Sequence, residues 1–452
     1  MRFIAQGWNV ITVEDGNNYE LISKAIEDAK KQEEKPTLIE VKTTIGKYSK
    51  LEGTNAVHGA VLDDEDISLI KEKLDIRDIP FTVSQQAMEE FQYIINNRCK
   101  NLSDKFNTKF ENLDDKEKDE LNYFMNDNKK VHVKELFYDA PEELAEATRV
   151  TSYKILNAVV KDKPYIIGGA ADLFGANKTY IHEGGNFNRD NYLGKNIYYG
   201  VRENAMGAIS NGLALHGFRP YLSTFMAFSD YLKPSLRLTC MMNLPNIFIF
   251  THDSISVGED GPTHQPIEQL LTLRSMPNLD VFRPADANEV IGSYNTIFNK
   301  NSGPSVISLS RNSVPILEET KANEVEKGGY IALETRNKPV GIIMSSGEEL
   351  HLALAVAKRL LVKGIEVRVV SIPNLGRFLK QSPEYIESVL PVEVRKIAIE
   401  ASSSMSWNKL IYNSKYLITL DEFGASGKKN DVYKKYGFDV DTLEEKIEEL
   451  LK

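Results

Sequence analysis

The stretch THDSISVGEDGPTHQP, residues 251–266, places two histidines, three carboxylates, two glycines and two prolines in sixteen positions. It directly follows residues 245–250, PNIFIF, which have the composition of a buried strand. In parallel α/β sheets, ligands bind at the carboxyl ends of the strands. The glycines and prolines indicate a tight loop, which can bring His252, Asp260 and His264 together. We therefore expect a functional loop at the end of a strand in an α/β protein.

The residues alone leave three interpretations of this loop open. It could be an ordinary polar loop whose Asp and Thr side chains cap a helix that starts near Gln265. It could be a metal site built on His252, Asp253, Asp260 and His264, although these spacings match no familiar ligand pattern. Finally, it could bind a polar, multiply hydroxylated substrate.

Composition narrows the class of protein. The chain has 452 residues, of which 42% are hydrophobic and 27% are charged, as in ordinary soluble globular proteins. Its net charge is −10 and no strongly basic block offsets it, which argues against a nucleic-acid partner. Cys99 and Cys240 lie far apart, so the sequence supports neither a disulfide nor a zinc framework. The pattern of the first residues is not that of a signal peptide, and no run of 18 apolar residues occurs, so we expect no membrane span and a cytoplasmic location.

Strand and helix patterns alternate along most of the chain. Residues 8–13, 18–31 and 37–43 predict a βαβ unit, which begins so abruptly that it resembles the tail of a larger domain. From about residue 72 to 141 the chain is charged and helical in period, which predicts a helical linker. Further strands are predicted at 164–172, 245–250, 304–310, 340–346, 366–372, 395–401 and 416–424, with a helix over 348–364. This alternation predicts an α/β fold with tandem parallel sheets.

Three further segments carry candidate site residues. In YYGVRENAMGAISNGLAL (198–215), Glu203 is at the start of a predicted helix. A glutamate in this position is commonly a surface residue that the helix dipole favours. The small residues after it, however, would let a flat ligand or another chain approach closely. STFMAFSDY (223–231) supplies Phe225, Phe228 and Tyr231 at helical spacing, which indicates either a core stripe or an aromatic pocket. GTNAVHGA (53–60) places His58 in a glycine-bounded loop, a weak signal by itself.

Taken together, these segments resemble transketolase. YGVRENAM, STFMAFSDY, THDSISVGEDGPTHQP and LSRNS stand in the order and spacing of that family, with KTTIG and GTNAVHGA before them and DEFGASG after them. The resemblance covers essentially the whole chain, with the linker matched only loosely. It implies the C-terminal part of a diphosphate-binding domain (1–75), a helical linker (76–144), a pyrimidine-binding domain (145–325) and a C-terminal domain (330–452).

The resemblance also implies roles for individual residues. Glu203 would contact the pyrimidine ring of thiamine diphosphate, which Phe225, Phe228 and Tyr231 would flank and near which Asp172 would lie. His58, His252, Asp260 and His264 would face the sugar, and histidines with a pKa near neutral would suit proton transfers to its oxygens. Arg149 and Arg311 would clamp the sugar phosphate. Ala176 stands where the family usually has a serine on that phosphate, so one hydroxyl contact is lost.

Most of the diphosphate-binding domain is missing from this resemblance, including the segment that binds the divalent metal, Mg²⁺ or Ca²⁺. We therefore expect no metal ligands in this chain. We expect a homodimer that transfers a two-carbon unit between sugar phosphates when the missing N-terminal segment complements it, for example as a separate chain. The alternatives are a non-catalytic fragment that folds and dimerises, and a thiamine enzyme acting on pyruvate. His252, Arg149 and Arg311 together favour phosphorylated sugars.

Overall fold

Strands and helices alternate along the chain in a computed structural model that describes residues 1–77, 79–125, 145–161, 163–300 and 302–452. The contacts divide the chain into two units, Met1–Leu113 and Asp114–Lys452. No helix in the described ranges has both the length and the apolar composition that crossing a membrane requires.

The first unit contains the predicted βαβ arrangement. After a short helix α1 (Arg2–Ala5), strand β1 (Asn9–Val13) pairs in parallel with β2 (Thr37–Val41), and helix α2 (Tyr19–Lys30) connects them. The Asn18 side chain accepts hydrogen bonds from the backbone N–H groups of Glu20 and Leu21, which explains why α2 begins there. The βαβ prediction is confirmed.

The predicted helical segment is helical over most of its described part, although residues 74–77, 79–84 and 112–114 lie outside the helices. Its helices are α3 (Asp64–Lys73), α4 (Gln85–Ile94), α5 (Lys100–Glu111) and α6 (Asp115–Met125), with a π-helical turn over Ile95–Cys99. Ser84 caps α4 by accepting a hydrogen bond from the backbone N–H of Ala87. The last of these helices, α6, belongs to the second unit. The end of the predicted linker, residues 126–144, lies outside the described residues.

A six-stranded parallel sheet forms the first half of the second unit. The strands of this half are β3 (Ala145–Glu146), β4 (Ile166–Ala170), β5 (Asn196–Tyr198), β6 (Arg219–Phe225), β7 (Ile247–Thr251), β8 (Asp280–Phe282), β9 (Ser305–Leu309) and β10 (Val314–Pro315). The sheet has the order β5-β4-β6-β7-β9-β8, while β3 and β10 form a separate antiparallel pair. The predicted strands at 164–172, 245–250 and 304–310 are confirmed.

Helices cover both faces of this sheet. They are α7 (Thr148–Val160), α8 (Phe174–Asn177), α9 (Glu203–Leu215), α10 (Ser229–Met241), α11 (Gln269–Arg274) and α12 (Ala287–Asn299). One apolar core joins the sheet to α7 and α12, through residues such as Leu156 and Tyr294. The other joins it to α9 and α10, through Met206 and Leu236. A sheet buried on both faces gives continuous apolar strands, which is why these strands could be recognised in the sequence.

The second half of the unit is a five-stranded sheet with the order β11-β13-β12-β14-β15. Its strands are β11 (Tyr330–Leu333), β12 (Gly341–Ser345), β13 (Val367–Ser371), β14 (Arg395–Ile399) and β15 (Leu417–Ile418), and its helices are α13 (Glu349–Val362), α14 (Leu375–Phe378), α15 (Pro383–Val389), α16 (Lys429–Lys435) and α17 (Val440–Leu451). Only β11 runs antiparallel, to β13. The strand predicted over 416–424 is wrong in extent, because only two of its residues pair with β14.

A buried ion network connects the two sheets of this unit. Arg283, just after β8, donates to the Asp253 carboxylate at 3.0 Å and also pairs with Glu349 at the start of α13. Arg274 of α11 donates to both carboxylate oxygens of Glu400 at 2.8 and 2.9 Å. Burial alone would raise the pKa of Glu400, but Arg274 and the other donors around it hold that pKa at about 2. The two halves are therefore locked by charges that water does not reach.

Candidate functional site

The candidate residues gather at the carboxyl edge of the six-stranded sheet. Phe225 ends β6, Thr251 ends β7 immediately before His252, and β9 ends two residues before Arg311. Phe225 and Thr251 are also register partners on neighbouring strands. The chain runs outward from β4 in both directions, to β5 on one side and to β6 on the other. This switch in strand order is where open α/β sheets form their ligand clefts.

His252 is held in an unusual conformation at the end of β7. Its backbone φ is 64°, in the left-handed region that few non-glycine residues occupy, and the residue is 2% exposed. Its Nδ1 lies 2.8 Å from the Thr251 hydroxyl, which in turn donates to the Asn177 amide oxygen at 2.7 Å. Asn177 ends α8 and is fully buried. Neither Thr251 nor Asn177 was identified from the sequence, because a buried threonine and asparagine have no distinctive pattern there.

An aromatic group packs on the two histidines of the loop. The Phe225 ring centroid lies 3.8 Å from that of His252, and the Phe228 centroid lies 5.3 Å from that of His264. Phe225 and Phe228 are stacked, with centroids 5.5 Å apart and an angle of 28° between the rings. The prediction of a helical stripe is wrong, because Phe225 ends a strand and Phe228 lies in the 3₁₀ turn Met226–Phe228. Tyr231 is the member on a helix, α10, and it is 66% exposed.

Glu203 lies under the same edge of the sheet. It is the first residue of α9 and is buried, whereas a dipole-favoured surface glutamate would be exposed. Its carboxylate accepts a long hydrogen bond, 3.5 Å, from the Thr224 hydroxyl, one residue before Phe225. Because this buried carboxylate accepts only one long hydrogen bond from the described residues, it can accept a further hydrogen bond from a ligand.

Two arginines lie beside His252. The backbone N–H of Thr148 donates to the Ser310 hydroxyl at 3.1 Å, and the Ser310 N–H donates to the Thr148 hydroxyl at 2.7 Å. These two hydrogen bonds hold the start of α7 against the end of β9, so that Arg149 and Arg311 become neighbours. Arg149 donates to the main-chain oxygen of Ala176, and its buried Nε has no partner.

Burial and the Arg311 charge both lower the pKa of Arg149. In the described ranges, neither arginine forms an ion pair with a carboxylate. Two adjacent cations without a counter-charge make a site that attracts an anion, and guanidinium groups suit phosphate.

The same charges set the protonation of His252. Burial, followed by Arg149, Arg311 and His264, lowers the pKa of His252 to about 3. The expectation of a near-neutral pKa is therefore wrong for this histidine, because the sequence could not show that its ring is buried and lies within the electrostatic reach of two cations. The imidazole is neutral near pH 7, and it can act there as a hydrogen-bonding group.

Two further predicted residues of the second unit, Asp260 and Asp172, have no side-chain contact with this cluster. Asp260 and Asp172 are exposed, and none of the described side chains forms a hydrogen bond with either one; Asp172 has a left-handed φ of 60°. His58 lies in the first unit, where it is exposed and follows the 3₁₀ turn Asn55–Val57.

Two of the three interpretations of residues 251–266 fail against this geometry. The helix after the loop begins at Gln269 and its first turn receives no side-chain cap, so the capping interpretation is wrong. The described residues contain no group of three or more His, Cys, Asp and Glu side chains arranged to hold a metal ion. Asp253, one of the four proposed ligands, pairs with Arg283 instead. The interpretation as a substrate loop remains.

A second loop, residues 421–429, holds the first one in place. Gln265 donates to the main-chain oxygen of Ala425 at 2.9 Å, and the Ser426 hydroxyl donates to that of Glu259 at 2.6 Å. A Cβ at Gly424 would lie 1.9 Å from the Gln265 amide oxygen. The glycines of DEFGASG were the available sequence signal for this close approach, since only glycine leaves room for it.

Comparison with known proteins was made for the whole chain. Residues 145–316 match the family described as transketolase, pyrimidine binding domain, residues 328–439 the transketolase-like TK C-terminal domain, and residues 1–130 the transketolase, thiamine diphosphate binding domain. A transketolase of Bacillus subtilis (strain 168) is 40% identical over 466 residues, covering 100% of this chain and 69% of the relative. A transketolase of Staphylococcus aureus (strain MRSA252) is 41% identical over 98% of this chain and 68% of its own length.

Solved structures give the same result. The transketolase of Pichia stipitis, in a complex with sedoheptulose-7-phosphate, superposes with a TM-score of 0.91 at 35% identity, over 100% of this chain and 68% of that one. The transketolase of Campylobacter jejuni subsp. jejuni has a TM-score of 0.88 at 38% identity, over 99% of this chain and 68% of that one.

Proposed function

Since this chain belongs to the transketolase family, we propose that it transfers a two-carbon ketol unit from a ketose phosphate to an aldose phosphate. Its cofactor is thiamine diphosphate, which supplies the carbanion chemistry of carbon–carbon cleavage when bound. The transfer belongs to the exchange of carbon between pentose phosphates and other sugar phosphates. The protein's part is to bind, orient and shield the reacting groups.

The cofactor-binding part of the site is assigned to the buried carboxylate and the aromatic pair. Glu203 is buried at the start of α9 with one long hydrogen bond, so it can bind a ring nitrogen of the pyrimidine. The stacked rings of Phe225 and Phe228 suit the face of a flat heteroaromatic group and exclude water from it. We assign supporting cofactor contacts to Tyr231 and Asp172 on the resemblance alone.

The substrate-binding part is assigned to the cationic corner. Arg149 and Arg311 bind the sugar phosphate, and the Ala176 carbonyl orients Arg149 for that role. His252 contacts the substrate as a neutral ring, which fits its low pKa. His58, Asp260 and His264 are assigned to the sugar oxygens. Transketolase of Pichia stipitis has been solved with sedoheptulose-7-phosphate, a sugar phosphate of this class.

The chain's assembly and surroundings follow the same proposal. We assign residues 1–75 to the diphosphate-binding domain, 76–144 to a helical linker, 145–325 to the pyrimidine-binding domain and 330–452 to the C-terminal domain. We propose a cytoplasmic homodimer that pairs through α9 and α10, which expose Ile209 and Met241 to 50% and 64%. The cofactor is bound together with Mg²⁺ or Ca²⁺, for which no ligand is assigned among the described residues.

One observation carries the proposal: a buried carboxylate lies at one edge of one sheet together with two arginines that pair with no carboxylate of the described residues. The test is exchange of the thiazolium C2 proton of thiamine diphosphate with solvent deuterium, together with transfer between sugar phosphates. Glu203→Gln keeps the size of the side chain but not its charge, and we expect it to slow exchange by at least about tenfold, the equivalent of about 1.4 kcal/mol. Unchanged exchange in a folded Glu203→Gln protein would overturn the assignment.

A further inference from the structure

A buried carboxylate from the second half of the unit lies behind the loop at residues 251–266. Glu348, immediately before α13, is 2% exposed, and one of its carboxylate oxygens lies 3.1 Å from the Ser254 hydroxyl. The Ser256 hydroxyl lies 2.8 Å from that of Ser254 and also donates to Glu348. Both serines are buried, so the carboxylate receives hydrogen bonds from the loop that water does not replace.

The groups around this carboxylate keep it ionised. Lys429 of α16 donates to its second oxygen at 3.1 Å, and the Tyr433 hydroxyl of the same helix contacts the first. Burial alone would raise the pKa of Glu348, but Lys429 and the hydroxyl donors hold that pKa at about 2. An ionised carboxylate can only accept hydrogen bonds, so it stays bonded to the loop whichever of the two serines donates.

The two serines belong to one tight turn. Ser254 caps the 3₁₀ turn Ile255–Val257, because its hydroxyl oxygen accepts a hydrogen bond from the backbone N–H of Ser256 at 3.2 Å. The backbone N–H of Val257 in turn donates to the Ser254 carbonyl at 3.2 Å. By binding the two serines, Glu348 therefore holds the backbone of the whole turn.

This turn connects two parts of the cationic corner. On one side, Ser254 follows His252 by two positions, and the left-handed φ of 64° at His252 persists only where the surrounding structure fixes it. On the other side, the Ser256 carbonyl accepts a hydrogen bond from the side-chain amide of Asn312, which directly follows Arg311. A displacement of the turn would therefore move His252 and the segment of Arg311 relative to each other.

We propose that Glu348 is a positioning residue for the substrate site: from the second half of the unit, its carboxylate holds the turn at residues 254–257 and thereby sets the position of His252 relative to Arg311. The consequence for substrate rests on the proposed function, in which this corner binds the sugar phosphate. Glu348 then controls the affinity for the phosphate end of the substrate without touching it, and inorganic phosphate is the probe for this effect.

Hydrogen exchange of the full chain tests the positioning role without a ligand. It is followed by mass spectrometry in peptides that cover residues 252–261. The double variant Ser254→Ala, Ser256→Ala removes both donors and no charge, and we expect it to speed exchange in this segment by about threefold or more. Glu348→Gln keeps the size of the side chain but weakens the same bonds, and it should act in the same direction. Unchanged exchange in the double serine variant would overturn the proposal.

A matched control exists at a second buried carboxylate. Ser346 and Ser402 both donate to Glu400, which lies at the end of β14 and pairs with one cation, Arg274. The double variant Ser346→Ala, Ser402→Ala removes an equivalent pair of hydroxyls, and it should leave exchange in residues 252–261 unchanged. If it speeds exchange there as much as the first double variant does, the effect is one of overall stability, and the positioning role is refuted.

Phosphate binding, measured by calorimetry, extends the test to the substrate site. If the wild type binds inorganic phosphate and Arg311→Gln weakens that binding, Ser254→Ala with Ser256→Ala should raise the phosphate Kd by about threefold or more, and the control pair should not. An unchanged Kd in the first pair would then overturn the proposal. If the wild type binds no phosphate, or Arg311→Gln has no effect, the proposed phosphate site fails, and hydrogen exchange alone decides whether Glu348 positions the turn.

Discussion

Replacing Arg283 with leucine tests the buried ion network that joins the two sheets of the second unit. Arg283 is fully buried, donates to Asp253 at 3.0 Å and to the Ser346 carbonyl at 2.9 Å, and pairs with Glu349. Its removal strands two buried carboxylates, and stranding buried charge costs about 3–5 kcal/mol. We expect a loss of this size in the free energy of unfolding, measured by urea denaturation near neutral pH.

The pH dependence of that loss gives a second check. Burial raises the pKa of Asp253 to about 6, with Arg283 opposing the rise and Glu348 and Glu349 adding to it. Without Arg283 the pKa rises further. The folded protein then holds a proton that the unfolded chain has released, so stability is retained at low pH and lost as the pH rises through the folded pKa. The deficit of Arg283→Leu should therefore be larger at about pH 8 than at about pH 5.5.

Two variants make the result interpretable. Arg359 also pairs with one aspartate and one glutamate, Asp441 and Glu444, but on the surface, so Arg359→Leu should change stability little. Adding Asp253→Asn and Glu349→Gln to Arg283→Leu removes the stranded charges and should recover much of the loss. A loss below about 1 kcal/mol for Arg283→Leu alone would refute the reasoning.

Three further outcomes are expected. Glu289→Gln should flatten the pH dependence of stability, because burial and the neighbouring Asp286 raise the pKa of Glu289 from 4.5 to about 7. As the pH rises between these two values, the free energy of unfolding of the wild type should fall by about 3 kcal/mol more than that of the variant. Urea unfolding at a series of pH values measures this difference. His252→Ala should raise the KM for a phosphorylated donor about tenfold, because the loss of one hydrogen bond costs about 1.4 kcal/mol, and it should leave the Kd for the cofactor unchanged. A higher cofactor Kd, measured by calorimetry, would contradict the role assigned to His252. Ala176→Ser restores a hydroxyl beside the Arg149 contact and should lower that KM by a few-fold, while an unphosphorylated donor serves as the control.

The sequence predicted three of the strands that are buried on both faces, but it missed the short strands and the long buried strand β6. Continuous apolar runs marked β4, β7 and β9, but β5 and β8 have three residues each, too few to show a period. Strand β6 was hidden because Phe225, Phe228 and Tyr231 have helical spacing, although the chain changes from strand to 3₁₀ turn to helix between them. Spacing records distance along the chain and does not record such a change.

The sequence predicted which side chains of the loop come together better than it predicted the electrostatics around them. The motif around residues 251–266 identified His252 and His264, and the structure brings both against the aromatic pair. The low pKa of His252 depends on Arg149 and Arg311, which lie about a hundred and sixty positions apart in the sequence and become neighbours only through the Thr148–Ser310 hydrogen bonds. A long-range effect of this kind has no local sequence signature.

The contact between residues 258–265 and residues 421–429 limits how such enzymes can be recombined. Gly258 has a φ of 80°, and a Cβ there would lie 2.9 Å from the Gly427 carbonyl, while Gly424 leaves no room for a Cβ beside Gln265. The two loops therefore fit together through close contacts at glycine backbone positions, where no larger residue can be substituted. In a chimaera that takes its C-terminal domain from another parent, the loop at residues 421–429 will not fit the backbone of residues 258–265, and the loop at residues 251–266 will be displaced although its own sequence is unchanged. Crossover points for directed recombination should therefore keep both loops from one parent, even though a domain boundary lies between them.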